Sequence, residues 1–310
     1  MTIIDSARFN NLQSRIELIL GNGAGTNGYG QTPASANVTS DGSEIVQASD
    51  INNIYTDMLN ARVHQVGPND ISIAQMIQNL NVVAEDESFF VDDNGNTTAD
   101  PDGSKKGLVD FENLMTDIET DKFLVHTSQA DLEDAISSVR TTNWNGLIYH
   151  EVAVTFASED ARRHFFNTGG QIRFNAQNTL ASTPKGLDWA ALCSEIGTVV
   201  FNYDSTISTG DGSGSSIGNY DLDGSNQVIY QKVGAGTYSG IYAGNLYTIK
   251  ARTDTPTRII FRIEFNDVVV DPAIDNNVDG KLESIVKHYR AVGNYVEVAA
   301  PSYFNQNTLA

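Results

Sequence analysis

The sequence predicts an α+β fold, with an N-terminal helical region with long loops over residues 1–142 and a C-terminal antiparallel β-sheet domain with two short helices over residues 143–310. Three observations carry that expectation. Apolar residues recur at a helical period through the first 140 residues. From Trp144 onward they alternate with polar ones, in runs rich in β-branched and aromatic residues. Clusters of Gly, Asn, Asp and Ser separate these runs.

In the helical region, Phe9, Leu12, Ile16 and Leu20 lie on one helical face, and Gly21 ends the run. The loop GNGAGTNGYG follows. A second helix starts at Ser49 or Asp50, places Ile51, Ile54, Tyr55, Met58 and Leu59 on one face, and stops near His64 ahead of Gly67-Pro68. Ile73, Met76, Ile77 and Leu80 predict a third. Asp92 to Gly107 holds almost nothing apolar and reads as a turn-rich loop. Helices are then expected around Phe111 to Phe123 and from Ser128 to Val139, the latter opened by a capping-box pattern at Ser128 and Asp131.

In the second half, GLIYHEVAVTFAS is a half-buried strand, and Ser158 caps the short helix EDARRHFFNT. QIRFNA is a strand, LDWAALCSEIG a helix closed by Gly197, and TVVFNYD a strand. The segment STGDGSGSSIG is almost wholly Gly, Ser, Thr and Asp and is expected to be mobile. NQVIYQKV, NLYTIKAR, TRIIFRIEF and NYVEVAA complete the sheet, with KLESIVKHYR as a further strand.

The net charge of −20 is unevenly spread, with 7 basic and 22 acidic residues over 1–140 against 12 basic and 17 acidic over 141–310. Nucleic acid and anionic membranes need a basic footprint, so neither is an expected partner. No apolar run is long enough for a membrane helix. The start, MTIIDSARFNNLQSRIELIL, carries charges within its apolar stretch and is expected to be an amphipathic helix rather than a signal peptide. The one cysteine, Cys193, excludes a disulfide framework and reads as a small core residue.

Candidate chemistry is sparse. Gly23 to Gly28 matches G-x-G-x-x-G, but it follows a helix and leads into Tyr29-Gly30-Gln31-Thr32-Pro33, the wrong context for a dinucleotide. Asp275, Asn277, Asp279 and Gly280 match the first half of a Ca2+ loop, although the twelfth position is Val286 instead of Glu; Asn219, Asp221 and Asp223 are a weaker echo. Asp and Asn before Gly are also ordinary turn residues between strands, which is the competing reading of both. The five histidines, His64, His126, His150, His164 and His288, form no ligand-spaced pair, and no serine sits in a nucleophile elbow. No catalytic residue and no cofactor, beyond that candidate Ca2+, are expected. The most distinctive stretch is the helix-to-strand corner from Arg162 to Phe174. Arg162, Arg163, Phe165, Phe166, Gly169, Gly170 and Arg173 are read there as structural or interface groups, with one phenyl ring in the core and the glycines permitting a sharp reversal.

Two patterns resemble virion structural proteins of tailed marine bacteriophages, particularly the large contractile-tailed cyanophages. The first runs through Arg8-Phe9-Asn10-Asn11-Leu12, Leu20-Gly21-Asn22-Gly23, Gly28-Tyr29-Gly30-Gln31, Ala48 to Tyr55 and Ala61 to Gly67. The second runs through Val154 to Ser158, Arg162 to Ile172, Asp188-Trp189 and Ile196 to Val199. The resemblance implies a non-enzymatic virion component, assembled in the host cytoplasm, in the tail, baseplate or neck or at a fibre attachment point. Its implied partners are other virion proteins and further copies of itself in a homo-oligomer. A receptor- or glycan-binding tail protein is the alternative, with Tyr220, Tyr230, Tyr238, Tyr242 and Tyr247 as the aromatic surface it needs; a head decoration protein is another. The resemblance brings no active site.

Overall fold

A computed structural model describes residues 6–39, 46–68, 89–91, 97–99, 108–269 and 277–309. The fold is mixed α+β, with helices in the N-terminal part and two antiparallel β-sheets in the C-terminal part. The chain divides into two units. The first comprises residues 1–131, 163–169 and 291–298; the second comprises 132–162, 170–290 and 299–310.

In the first unit, α1 (Ser6–Leu20), α2 (Ala48–Val66) and α3 (Leu108–Thr120) pack against one another. Their apolar stripes are buried: Phe9, Leu12 and Ile16 on α1, Ile51, Ile54 and Met58 on α2, Phe111, Met115 and Ile118 on α3. Bidentate pairs from Arg8 to Glu112 and from Arg15 to Glu119 share one sequence offset, so α1 and α3 run side by side in the same direction. The third helix expected around Ile73 to Leu80 lies outside the described residues. So does most of the expected Asp92–Gly107 loop, but its described part, β2 (Thr97–Ala99), pairs antiparallel with β1 (Phe89–Val91).

The second unit holds two five-stranded antiparallel sheets. Its strands are β3 (Ala130–Arg140, whose first two residues group with the other unit), β4 (Leu147–Thr155), β5 (Gln171–Thr179), β6 (Val199–Phe201), β7 (Thr206–Ser208), β8 (Gln227–Val233), β9 (Leu246–Thr255), β10 (Arg258–Asn266), β11 (Lys281–Ala291) and β12 (Ser302–Asn307). One sheet has the order β12-β4-β10-β9-β8 and the other β3-β11-β5-β6-β7. Alternation along β11 buries Leu282, Ser284, Val286 and His288. The sheets face each other through the ring of Phe261, 5.0 Å from that of Phe174 and 5.1 Å from that of Phe201. α5 (Pro184–Ile196) also belongs to this unit, whereas α4 (Glu159–Asn167) begins in it and passes into the first unit at Arg163. Trp189 of α5 packs on Phe265 and Trp144.

Three local expectations fail. Ser128 to Val139 is not a helix: a single 3-10 turn, Thr127–Gln129, leads into β3. The strand is tied to β11 by the ion pairs Lys287–Asp134 and Arg290–Glu133, with the His288 ring 3.2 Å from the Glu133 carboxylate. Cross-strand charge pairing of that kind leaves no trace in the strand's own periodicity. NYVEVAA is not a sheet strand; residues 291–298 group with the helical unit, and Ser302–Asn307 supplies the edge instead. The Gly/Ser segment after β7 is pinned rather than loose, through backbone pairs Thr206–Ser215 and Ser213–Gln231. Its glycines permit the close approach, since a Cβ on Gly214 lies 2.0 Å from the Thr206 oxygen.

Candidate functional site

The corner at α4 builds from its cap upward. Ser158 Oγ accepts the Ala161 N–H at 3.0 Å, and Glu159 and Asp160 fill the first turn, where negative charge suits the helix N-terminus. Arg162 belongs to the sheet unit. It is buried, donating to Asn219 Oδ1 at 2.7 Å and to Thr253 Oγ1 at 3.1 Å, and burial pushes its guanidinium down to about 10. From Arg163 the chain belongs to the helical unit. Arg163 Nη2 donates to the Asn22 carbonyl at 2.8 Å, the His164 ring is 2.9 Å from the same oxygen, and Asn167 Nδ2 donates to the Gly28 carbonyl at 3.3 Å.

The G-x-G-x-x-G loop is therefore a receptor for α4. It folds back on α1 through Tyr29 N to Ile19 O and Gly30 N to Gly21 O. Gly30 has φ 74°, and a Cβ there lies 2.3 Å from the His164 ring. The loop turns carbonyls toward α4, the opposite polarity from a phosphate cradle. His64 completes the corner by donating from Nε2 to the Thr168 carbonyl at 3.1 Å; burial pushes it down to about 4.

Phe165 and Phe166 are both wholly buried, edge to face at 5.1 Å, so the expectation of one core ring understates the packing. Gly169 has φ 78°, and a Cβ there meets the Phe123 oxygen at 2.8 Å. Gly170 is buried without a positive φ, so the reversal rests on Gly169. Arg173 stands apart on β5, stacked over the Tyr289 ring at 4.4 Å.

Asp279 caps α5. Its carboxylate receives Ser182 N at 2.9 Å, Ser182 Oγ at 2.7 Å and Thr183 Oγ1 at 2.6 Å. Partial burial favours its neutral form, but these donors outweigh that and bring the carboxyl down to about 2. Oxygens already held by protein donors are poor candidates for a cation. Asn277 is exposed, and Asp275 lies outside the described residues. In the weaker echo, Asn219 serves Arg162, Asp221 accepts from Gly218 N and Asp223 from Ser225. Among the described residues no group of three or more His, Cys, Asp or Glu side chains is arranged to hold a metal, and no helix is long and apolar enough to cross a membrane.

Comparison with protein-family models, curated proteins and solved structures finds no match.

Two arrangements escaped sequence reasoning. His150 lies between Ser284 Oγ at 3.0 Å and Asn305 Oδ1 at 2.8 Å, which joins the two sheets. It has the outline of a nucleophile, base and orienting group, but His150 is 0% and Ser284 1% exposed, so both are closed to solvent in this structure. Burial pushes the His150 imidazole down. The second is a buried ion pair between Lys185 and Asp267. No spacing announces either, because each joins strands or helices far apart in sequence. Cys193 is 2% exposed, its thiol pushed up to about 12 by burial, which suits a core residue and not a nucleophile. Of the five tyrosines offered as a glycan surface, Tyr230, Tyr242 and Tyr247 are buried; Tyr220 and Tyr238 are exposed.

Proposed function

We propose that the chain is a non-enzymatic structural subunit of a tailed-bacteriophage virion. In this reading it sits in the tail, baseplate or neck or at a fibre attachment point, and works through contacts with other virion proteins and with copies of itself. One observation carries the proposal. The two separated stretches that resemble virion proteins dock on each other within the helical unit: Arg163, His164 and Asn167 hold the carbonyls of Asn22, Gly23 and Gly28, and His64 holds that of Thr168. The shared pattern thus encodes an architectural joint and spends its polar groups on the chain's own backbone. The three buried tyrosines leave the glycan-binding alternative with little aromatic surface.

The test is to label particles of a phage carrying the gene with a gold-conjugated antibody to the chain. Label on tail, baseplate or neck is the expected result. Label on the capsid replaces this reading with head decoration. Particles free of label, or turnover of peptidoglycan, polysaccharide or nucleotide that one His or carboxylate substitution abolishes, overturn it.

A further inference from the structure

Lys185 and Asp267 form an ion pair within the sheet unit, and both side chains are 0% exposed. Lys185 is in the first turn of α5 and Asp267 directly follows β10. The ammonium also donates to the Val269 carbonyl at 2.9 Å and lies 5.9 Å from the centre of the Tyr242 ring. Trp189, one turn further along α5, is wholly buried, with its ring 5.0 Å from Trp144 and 6.0 Å from Phe265. The ammonium and the carboxylate are thus both withdrawn from solvent.

We infer that Lys185 and Asp267 are joined by a covalent isopeptide bond, formed within the folded chain. The lysine passes a proton to the carboxylate, giving an amine and a carboxylic acid. The Nζ lone pair attacks the Asp267 Cγ, an Nζ–Cγ bond forms, and the Cγ–O bond breaks. The departing hydroxyl takes a proton from nitrogen and leaves as water. The product is a neutral secondary amide, and no oxidant, reductant or further reactant takes part. Three physical features favour the step. Two charges held wholly out of water carry a desolvation cost that the amide removes. The fold holds the reacting atoms together, which gives an effective concentration far above any in solution. A site closed to water lacks the nucleophile for the reverse reaction. The bond closes a loop from residue 185 to 267, linking α5 to the end of β10. It does not depend on the proposed virion role.

The experiment is intact-mass measurement of the denatured full-length chain, followed by trypsin. The expected mass is that of the sequence less one water. Trypsin does not cut after an acylated lysine, so the expected product is one branched peptide joining residues 174–232 to 263–281. Lys185→Arg and Asp267→Ala restore the full sequence mass. Asp267→Asn condenses with loss of ammonia in place of water. A wild-type chain of full sequence mass, with 174–185, 186–232 and 263–281 recovered as separate peptides, overturns the inference. So does a water loss that persists in Lys185→Arg, since dehydration at an Asp-Gly pair gives the same mass.

Discussion

At His64 one proton decides whether the corner stays packed. The ring donates from Nε2 to Thr168, and its buried Nδ1 has no hydrogen-bond partner among the described residues, so a proton there brings a charge with no acceptor. Its folded value, about 4, lies below the ordinary 6.5. Between those values the unfolded chain binds a proton that the folded chain refuses. Stability is full above the upper value and falls as pH drops through the window, by about 3 kcal/mol for this residue. Burial shifts His150 and His288 in the same direction. Urea midpoints should fall with acid across this window, less steeply in His64→Gln; a flat wild-type profile contradicts the assignment. Phe165→Ala and Phe166→Ala should each cost about 3–5 kcal/mol, since both rings are buried. Gly169→Val should disrupt folding through φ and backbone clash together, and Gly170→Ala should be milder. That this stretch turns from helix to strand was legible in its residue types. Its partner was not, because the Asn22 and Gly28 carbonyls are backbone groups that any residue supplies.

α5 shows how an element's start can be set from far away in sequence. Thr183 at the N-cap and Pro184 in the first turn are local signals, and Thr183 Oγ1 accepts the Gly186 N–H at 3.1 Å. Asp279 adds a remote carboxylate over the same turn. Asp279→Ala should lower stability by about 1–2 kcal/mol in a denaturant titration, in line with loss of a helix cap. The carboxyl's lowered value means its contribution is present at neutral pH and is lost only as pH falls toward about 2. An unchanged midpoint in Asp279→Ala argues against the cap. In sequence, Asp279 resembled a Ca2+ ligand because short acidic turns serve both purposes. β3 shows a related ambiguity: Ser128 and Asp131 fit a capping box, yet Glu133 and Asp134 pair with β11.

At the scale of the molecule, the texture switches from helical to alternating near residue 142, while the two compact units interleave along the chain. Residues 132–142 lie in the sheet unit, and 163–169 and 291–298 lie in the helical one. A fragment of residues 144–310 lacks β3 and carries Phe165 and Phe166 without their helical unit. It should bind a hydrophobic dye and melt far below the full chain; a fragment as stable as the whole restores a simple cut at that point. If the virion reading holds, hydrogen exchange in residues 21–39, on the polar stretch after α1, should slow on incorporation into particles. Equal exchange in free and assembled chain moves the assembly surface to the sheets.

By itself the sequence determined the fold class, the stripes of α1, α2 and α3, most of the strands and the burial of Cys193. Each depends on periodicity or composition within a dozen residues, where burial of one face dominates the local free energy. Only the tertiary structure decided that there are two sheets, that β3 and β12 are strands of them, and that α4 is received by a glycine loop. It also placed His150, Ser284 and Asn305 in one bridge and enclosed Lys185 with Asp267. Those outcomes rest on pairings between residues far apart in sequence, whose energies appear only once backbone and charge are brought together out of water.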